Sequence, residues 1–118
     1  MFEHFTEKAR RVIFFARLEA SKLGASAIEP RHLLLGLEHE EKKETARFVA
    51  EHPELKRLQE HVNPRGVPWK KLSTSVDMPL TEESKQALSA AKGAAEVAHL
   101  EGIGTAELLR GLLSVAKG

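Results

Sequence analysis

Two stretches with the same residue pattern decide the fold: residues 28–38, IEPRHLLLGLE, and residues 103–113, IGTAELLRGLL. Both run Ile, four intervening residues, Leu-Leu, one residue, then Gly-Leu. The match extends without a gap to residues 5–38 over 80–113, an offset of 75, with nine of 34 pairs identical. An internal repeat of this kind indicates two similar supersecondary units that bury their apolar faces by stacking.

The residues around these stretches favour helices. Ala and Leu alternate with Glu, Lys and Arg at helical spacing, and β-branched residues are scattered. Thr6 and Thr81 are good N-caps, and Pro30 suits a first helical turn. Helices are predicted at about 6–23, 30–39, 42–51, 53–62, 81–100 and 105–116.

The prediction is therefore an all-α, pseudo-twofold duplicated helical repeat with about six main helices. It forms a single domain over residues 1–118, with repeat one at 1–62 and repeat two at 80–118. Residues 63–79 hold three prolines and a glycine and are predicted to be an extended connector.

Finer predictions concern the faces of two helices. On the first helix, Phe14 and Phe15 widen the apolar surface beyond one stripe, which predicts contacts on two sides. On the third helix, Ala46, Val49 and Ala50 are predicted to point inward.

The composition excludes several classes of protein. Eighteen Lys and Arg against 17 Asp and Glu give a net charge of +1. A chain so close to neutral has no overall electrostatic attraction for nucleic acid or for an anionic membrane. With no Cys, disulfides and thiolate sites are excluded. The apolar runs at 12–16 and 33–35 are too short to span a bilayer, and residues 1–8 lack a signal-peptide layout. The expected location is cytoplasmic, with neither nucleic acid nor membrane as partner.

No catalytic or metal-binding motif emerges. The segment 39–43, HEEKK, fails the H-E-x-x-H pattern, and neither G-x-S-x-G nor a P-loop occurs. Asp77 is the only Asp and lies in the predicted connector. We therefore expect no enzyme activity, no catalytic residue, no cofactor and no metal.

The repeat resembles a known family. FTEKAR at 5–10 and HLLLGL at 32–37, followed by PLT at 79–81, IGT at 103–105 and LLRGLL at 108–113, are similar to the two repeats of the Clp N-terminal domain. That domain precedes the ATPase modules of ClpA- and ClpC-type AAA+ unfoldases. The resemblance implies an all-α fold that binds adaptor proteins or unfolded protein segments and passes them to the Clp ATPase and protease machinery. Against the family pattern, repeat two lacks the last helix pair.

ClpC-type members of the family also recognise phosphorylated arginine. The acidic residue that would meet its guanidinium falls here on Arg31 and Ala106, although Thr6 and Thr81 match the pattern. A cation at Arg31 would repel a guanidinium. This departure argues against phosphoarginine recognition by this chain.

The predicted binding site is an apolar groove between the two repeat starts, which suits peptide recognition. Its residues are Phe2, Phe5, Thr6, Ile13, Leu80, Thr81 and Leu88. Several alternatives stay open. The threonines can be N-caps alone, and the phenylalanines can be core. The chain can form a weak homodimer through the helix at 108–115, or act as a standalone Clp-like domain that sequesters ligands.

Overall fold

The computed structural model describes residues 4–60 and 78–117. Within these ranges the chain forms six α helices, two isolated backbone bridges and no β strand, which confirms the all-α prediction. The helices are α1 Glu7–Lys22, α2 Pro30–Glu40, α3 Lys42–Glu51, α4 Pro53–Glu60, α5 Glu82–Val97 and α6 Thr105–Lys117. Most of the predicted connector, and the predicted end of the fourth helix at 61–62, lie outside the described residues.

The two long helices begin in the same way. The Thr6 hydroxyl oxygen accepts a hydrogen bond from the Ala9 amide at 3.2 Å, and Thr81 accepts one from the Ser84 amide at 3.2 Å. Both threonines have extended backbone angles and are followed by a glutamate in the first turn. Each cap satisfies one of the amides that a helix start leaves without an intrahelical partner.

The segments that precede α1 and α5, here called the repeat starts, are exchanged, because each one pairs with a turn of the other repeat. The Thr6 amide donates to the Ile103 carbonyl at 2.9 Å, and the Ile103 amide donates to the His4 carbonyl at 2.8 Å. The same two bonds, shifted by 75 residues, join segment 79–81 to Ile28 at 2.8 and 3.0 Å. The start of each repeat is therefore held by the turn of the other, in a pseudo-twofold arrangement.

Two glycines set the distance between helices within each repeat. α1 packs on α2, and α5 packs on α6. A Cβ at Gly36 would overlap the Val12 carbonyl oxygen, and a Cβ at Gly111 would overlap the Ala87 carbonyl oxygen. The glycine shared by the two Leu-rich stretches thus brings the helix backbones together, which no larger residue permits.

α1 and α5 also end with the same turn. The residues after the helix cap, Gly24 and His99, have φ angles of 73° and 57°. In each turn the next amide bonds back to the fifth preceding carbonyl, Ala25 to Ala20 and Leu100 to Ala95, both at 2.9 Å. Because His99 turns the chain, α5 ends at Val97, three residues before the predicted end at 100.

The core confirms the repeat and corrects the finer predictions. Val49 is buried on α3, but Ala46 and Ala50 are exposed, and Thr45 is buried instead. The Thr45 hydroxyl donates to the Leu37 carbonyl at 3.1 Å, so this polar side chain is satisfied inside the fold. Phe14 is 49% exposed, so the prediction that α1 is contacted on a second side is wrong at that position.

None of the described helices combines the length and the apolar character that crossing a bilayer requires.

Candidate functional site

Four of the predicted groove residues, Phe5, Thr6, Leu80 and Thr81, lie at the two exchanged repeat starts, whereas Ile13 and Leu88 lie within α1 and α5. Leu80 pairs with Ile28, and Phe5 pairs with Ile103, as parallel bridges. Thr6 and Thr81 follow these bridges directly and cap α1 and α5. Phe2 lies outside the described residues.

The apolar members differ in how much surface they offer. Phe5 and Leu88 are buried in the core, at 8% and 9% exposure. Ile13 and Leu80 are half-buried and pack against the same core. By the offset of 75, Leu80 is the counterpart of Phe5 and Ile13 that of Leu88, so each pair has one buried and one accessible member. Among the described residues of the predicted groove, the accessible apolar side chains are therefore Ile13 and Leu80.

The buried hydroxyl group of Ser84 links the two repeats beside the Leu80 bridge. The Ser84 hydroxyl donates to the Ile28 carbonyl at 2.7 Å, and the Thr81 hydroxyl donates to the Ser84 oxygen at 3.1 Å. Ser84 is fully buried, and its counterpart in repeat one is Ala9, also fully buried. The sequence analysis did not single out Ser84, although a serine at an inward helical position of α5 is the signal that could have found it.

The start of α2 holds a buried histidine. The His32 Nδ1 accepts a hydrogen bond from the Glu29 amide at 2.8 Å, and the Arg31 guanidinium pairs with the Glu29 carboxylate at 3.0 Å. Burial, with a smaller contribution from the Arg31 charge, lowers the pKa of His32 to about 4. The ring is therefore neutral near pH 7, with its proton on Nε2. That atom is buried without a hydrogen-bond partner in the described part of the chain.

Repeat two builds the corresponding cap with a carboxylate. Glu107 occupies the position equivalent to His32, and its carboxylate accepts from the Gly104 amide at 2.8 Å. Glu107 thus serves as the cap partner of its own helix, and Glu29 as the partner of Arg31. Each of these acidic side chains is already engaged within the chain.

An exposed ion-pair network lies on the outer side of α1. Lys8 pairs with Glu41 at 3.0 Å, and Arg11 pairs with Glu40 at 2.7 Å. The hydrogen bond to Glu41 raises the pKa of Lys8. The network ties α1 to the junction of α2 and α3 and is a structural feature. In the described ranges, no group of three or more His, Asp or Glu side chains is placed to hold a metal ion.

Comparison with known proteins shows which proteins this chain is similar to. The model of the Clp repeat N-terminal domain matches residues 4–118. The chloroplastic chaperone ClpD2 of Oryza sativa subsp. japonica is 32% identical over 95 residues, 77% of this chain and 10% of that protein. The ClpA homolog of Porphyra purpurea, an ATP-binding subunit of the ATP-dependent Clp protease, is 32% identical over 124 residues, all of this chain and 14% of that protein.

A solved structure shares the fold. The crystal structure of the N-terminal domain of the chaperone ClpD from Arabidopsis thaliana superposes with a TM-score of 0.70 and is 28% identical. The match covers 98% of this chain and 79% of that one. The chain spans only about a tenth to a seventh of the two curated relatives named above. With nearly every residue inside the family match and the duplicated helix pairs in place, this chain belongs to the Clp repeat N-terminal domain family.

Proposed function

We propose that this chain is a non-enzymatic peptide-binding module that presents adaptor proteins or unfolded segments to Clp ATPase machinery. The observation that supports this most directly is the pair of exchanged bridges, which holds the start of each repeat against the turn of the other. Leu80 lies in one of these bridges and Ile13 lies on α1, and both are half-buried apolar side chains. Preformed apolar surface of this kind favours peptide docking because little ordering is needed on binding.

The size of the surface predicts weak binding. Two partly exposed aliphatic side chains are far below the surface that stable protein complexes bury. A dissociation constant in the micromolar range, at about −8 kcal/mol, is the expected scale. Weak binding also suits a module that must release each bound segment.

The proposal is tested by screening a library of short labelled peptides and measuring the affinity of the best binder by fluorescence anisotropy. Leu80→Ala and Ile13→Ala should each weaken binding about fivefold or more, since burying part of an aliphatic side chain contributes on the order of 1 kcal/mol. Phe14→Ala is the matched control, because it removes an exposed apolar side chain from another surface of α1. If all three variants bind as the parent does, the groove is not the binding site.

Self-association through the helix at 108–115 is a second proposal. Leu108, Leu109 and Leu112 are buried within the domain, and Leu113 and Val115 are partly buried. A weak homodimer would have to form on those last two side chains. Sedimentation velocity over a wide concentration range tests this proposal, and a monomer at every concentration would contradict it. A standalone domain that sequesters ligands would use the same groove.

A further inference from the structure

A concave surface lies beside the C-terminal end of α5. It is a cleft of ≈ 200 Å³ lined by His4, Lys92, Ala95, Glu96, Leu100, Glu101, Gly102 and Ile103. Ala95 and Ile103 are buried and form its apolar base, whereas the Leu100 side chain is 47% exposed. Ile103 is also the residue that pairs with Phe5, so the cleft adjoins the first repeat start.

The backbone turn that follows α5 does not require the side chains that line this cleft. α1 ends in the same type of turn, with the same backbone hydrogen bonds. The counterparts of Glu96, Leu100 and Glu101, at the offset of 75, are Ser21, Ala25 and Ser26. Repeat two therefore carries two carboxylates and a large aliphatic side chain where repeat one makes the turn with small residues.

The charges of the cleft favour a cation. Two acidic residues, Glu96 and Glu101, line the cleft with one lysine, Lys92, and with His4. The cleft also lies at the C-terminal end of α5, where the helix dipole is negative. An incoming positive group would thus meet a net negative lining.

The volume of the cleft limits the size of the ligand that it can hold. Its volume is below the ≈ 300–1,000 Å³ typical of sites for whole small molecules, so it fits one side chain. Lysine and arginine combine an aliphatic stem with a charged end. The stem would lie on Leu100 and the charged end beside Glu101 or Glu96.

We propose that this cleft binds the basic side chain, lysine or arginine, of an extended peptide segment held by the domain. This inference rests on the proposed peptide-binding function and adds a preference for segments that carry a positive charge. The contact is separate from the apolar contacts at Ile13 and Leu80, so the two can be measured independently.

The test uses a single-residue probe that can bind the cleft without binding the groove. N-acetyl-arginine methylamide is titrated into the ¹⁵N-labelled chain and followed by two-dimensional NMR, with the lysine analogue in a parallel series. The amide signals of Leu100, Glu101 and Gly102 should shift with added probe. The citrulline analogue, which has the same shape and no charge, should bind about tenfold more weakly because it loses the charge-assisted bonds.

A triple variant, Glu96→Ser, Leu100→Ala and Glu101→Ser, installs the residues of repeat one, which already support this turn. It should keep the fold and lose at least about tenfold in affinity for the arginine probe. Glu83→Gln removes one charge at the other end of α5 and should leave the affinity unchanged.

The outcomes separate this site from the groove. Equal binding of the arginine and citrulline probes, or unchanged binding by the triple variant, overturns the cleft proposal. If the arginine probe shifts the cleft signals while no library peptide depends on Leu80, the cleft stands as a binding site and the groove does not. If library peptides depend on Leu80 but replacing their basic residues by citrulline has no effect, the cleft proposal fails and the groove remains.

Discussion

The Ser84 hydroxyl donates a hydrogen bond to the carbonyl of Ile28 at 2.7 Å, across 56 residues of sequence. Ser84 lies on α5 of repeat two, and Ile28 lies in the turn before α2 of repeat one. The Ile28 carbonyl also accepts from the Thr81 amide at 3.0 Å. The junction between the repeats at this end is therefore fixed by backbone and side chain together.

Ser84→Ala should lower the free energy of unfolding by about 1 kcal/mol, the usual net value of one hydrogen bond. The loss stays modest because the Ile28 carbonyl keeps its bond from Thr81, and because repeat one folds with Ala9 at the same position. Urea unfolding followed by circular dichroism measures the change. Ser89→Ala, an exposed serine of the same helix, should change stability by no more than about 0.5 kcal/mol. Equal effects of the two substitutions would contradict the role of the buried bond.

Gly36→Ala and Gly111→Ala should each destabilise the fold by about 1–3 kcal/mol or more, because the new methyl group meets a backbone carbonyl that cannot move aside. Gly93→Ala is the control. A Cβ at Gly93, inside α5, has nothing within 4 Å, so alanine there should stabilise by about 0.5–1 kcal/mol through helix propensity. Opposite signs at the packed and open glycines, read from urea midpoints, are the expected result. A loss of stability at Gly93 as large as at Gly36 would contradict this packing.

His99→Gly should stabilise the chain by about 0.5–1 kcal/mol, since His99 has a φ of 57°, which costs non-glycine residues more than glycine. Gly24 shows that glycine supports the same turn in repeat one. Ala98→Gly is the matched control, because Ala98 has a φ of −83° and gains nothing from glycine. Thermal unfolding should show a higher midpoint for His99→Gly and a lower one for Ala98→Gly. A lower midpoint for both would show that the turn is not strained.

The fold was predictable from the sequence because the same residue pattern occurs in both repeats. The offset of 75 residues aligned the caps, the inward alanines and the Leu-Leu pairs, and the alanines and leucines are what the helices bury. The misses have a common physical origin. Thr45 and Ser84 are polar, so apolar periodicity passes over them, and only tertiary contact supplies the carbonyls that satisfy their hydroxyls.

The candidate site was less predictable than the fold. Helical spacing assigns a residue to a face but does not say how deeply that face is covered. Phe5 and Leu88 are buried, while their repeat counterparts Leu80 and Ile13 remain accessible. Two copies of one sequence pattern thus acquire different exposure, because the side chains around them differ. Leu100 and Glu101, which replace the Ala and Ser of the α1 turn, are recognised as candidate ligand contacts only once the structure shows that they line the cleft.

Acid should destabilise this chain through His32. The folded-state pKa of His32 is about 4, against 6.5 for an unperturbed histidine. The unfolded chain therefore binds a proton below pH 6.5, and the folded chain resists it until about pH 4. The contribution of His32 to stability is complete above pH 6.5 and is lost as the pH falls toward 4, on the order of 3 kcal/mol in all.

His32→Gln isolates this effect, because glutamine does not titrate and its side-chain oxygen can still accept from the Glu29 amide, as His32 Nδ1 does. Between pH 6.5 and 5, above the range in which ordinary carboxylates titrate, the parent should lose up to about 1.4 kcal/mol per pH unit. The variant should lose much less over the same interval. Urea unfolding at a series of pH values gives both slopes. Parallel slopes for parent and variant would mean that another group controls the acid sensitivity and that protonation of His32 meets no penalty in the fold. A shallow slope in the variant alone would place the acid sensitivity at the start of α2, beside the Ile28 bridge that holds the second repeat.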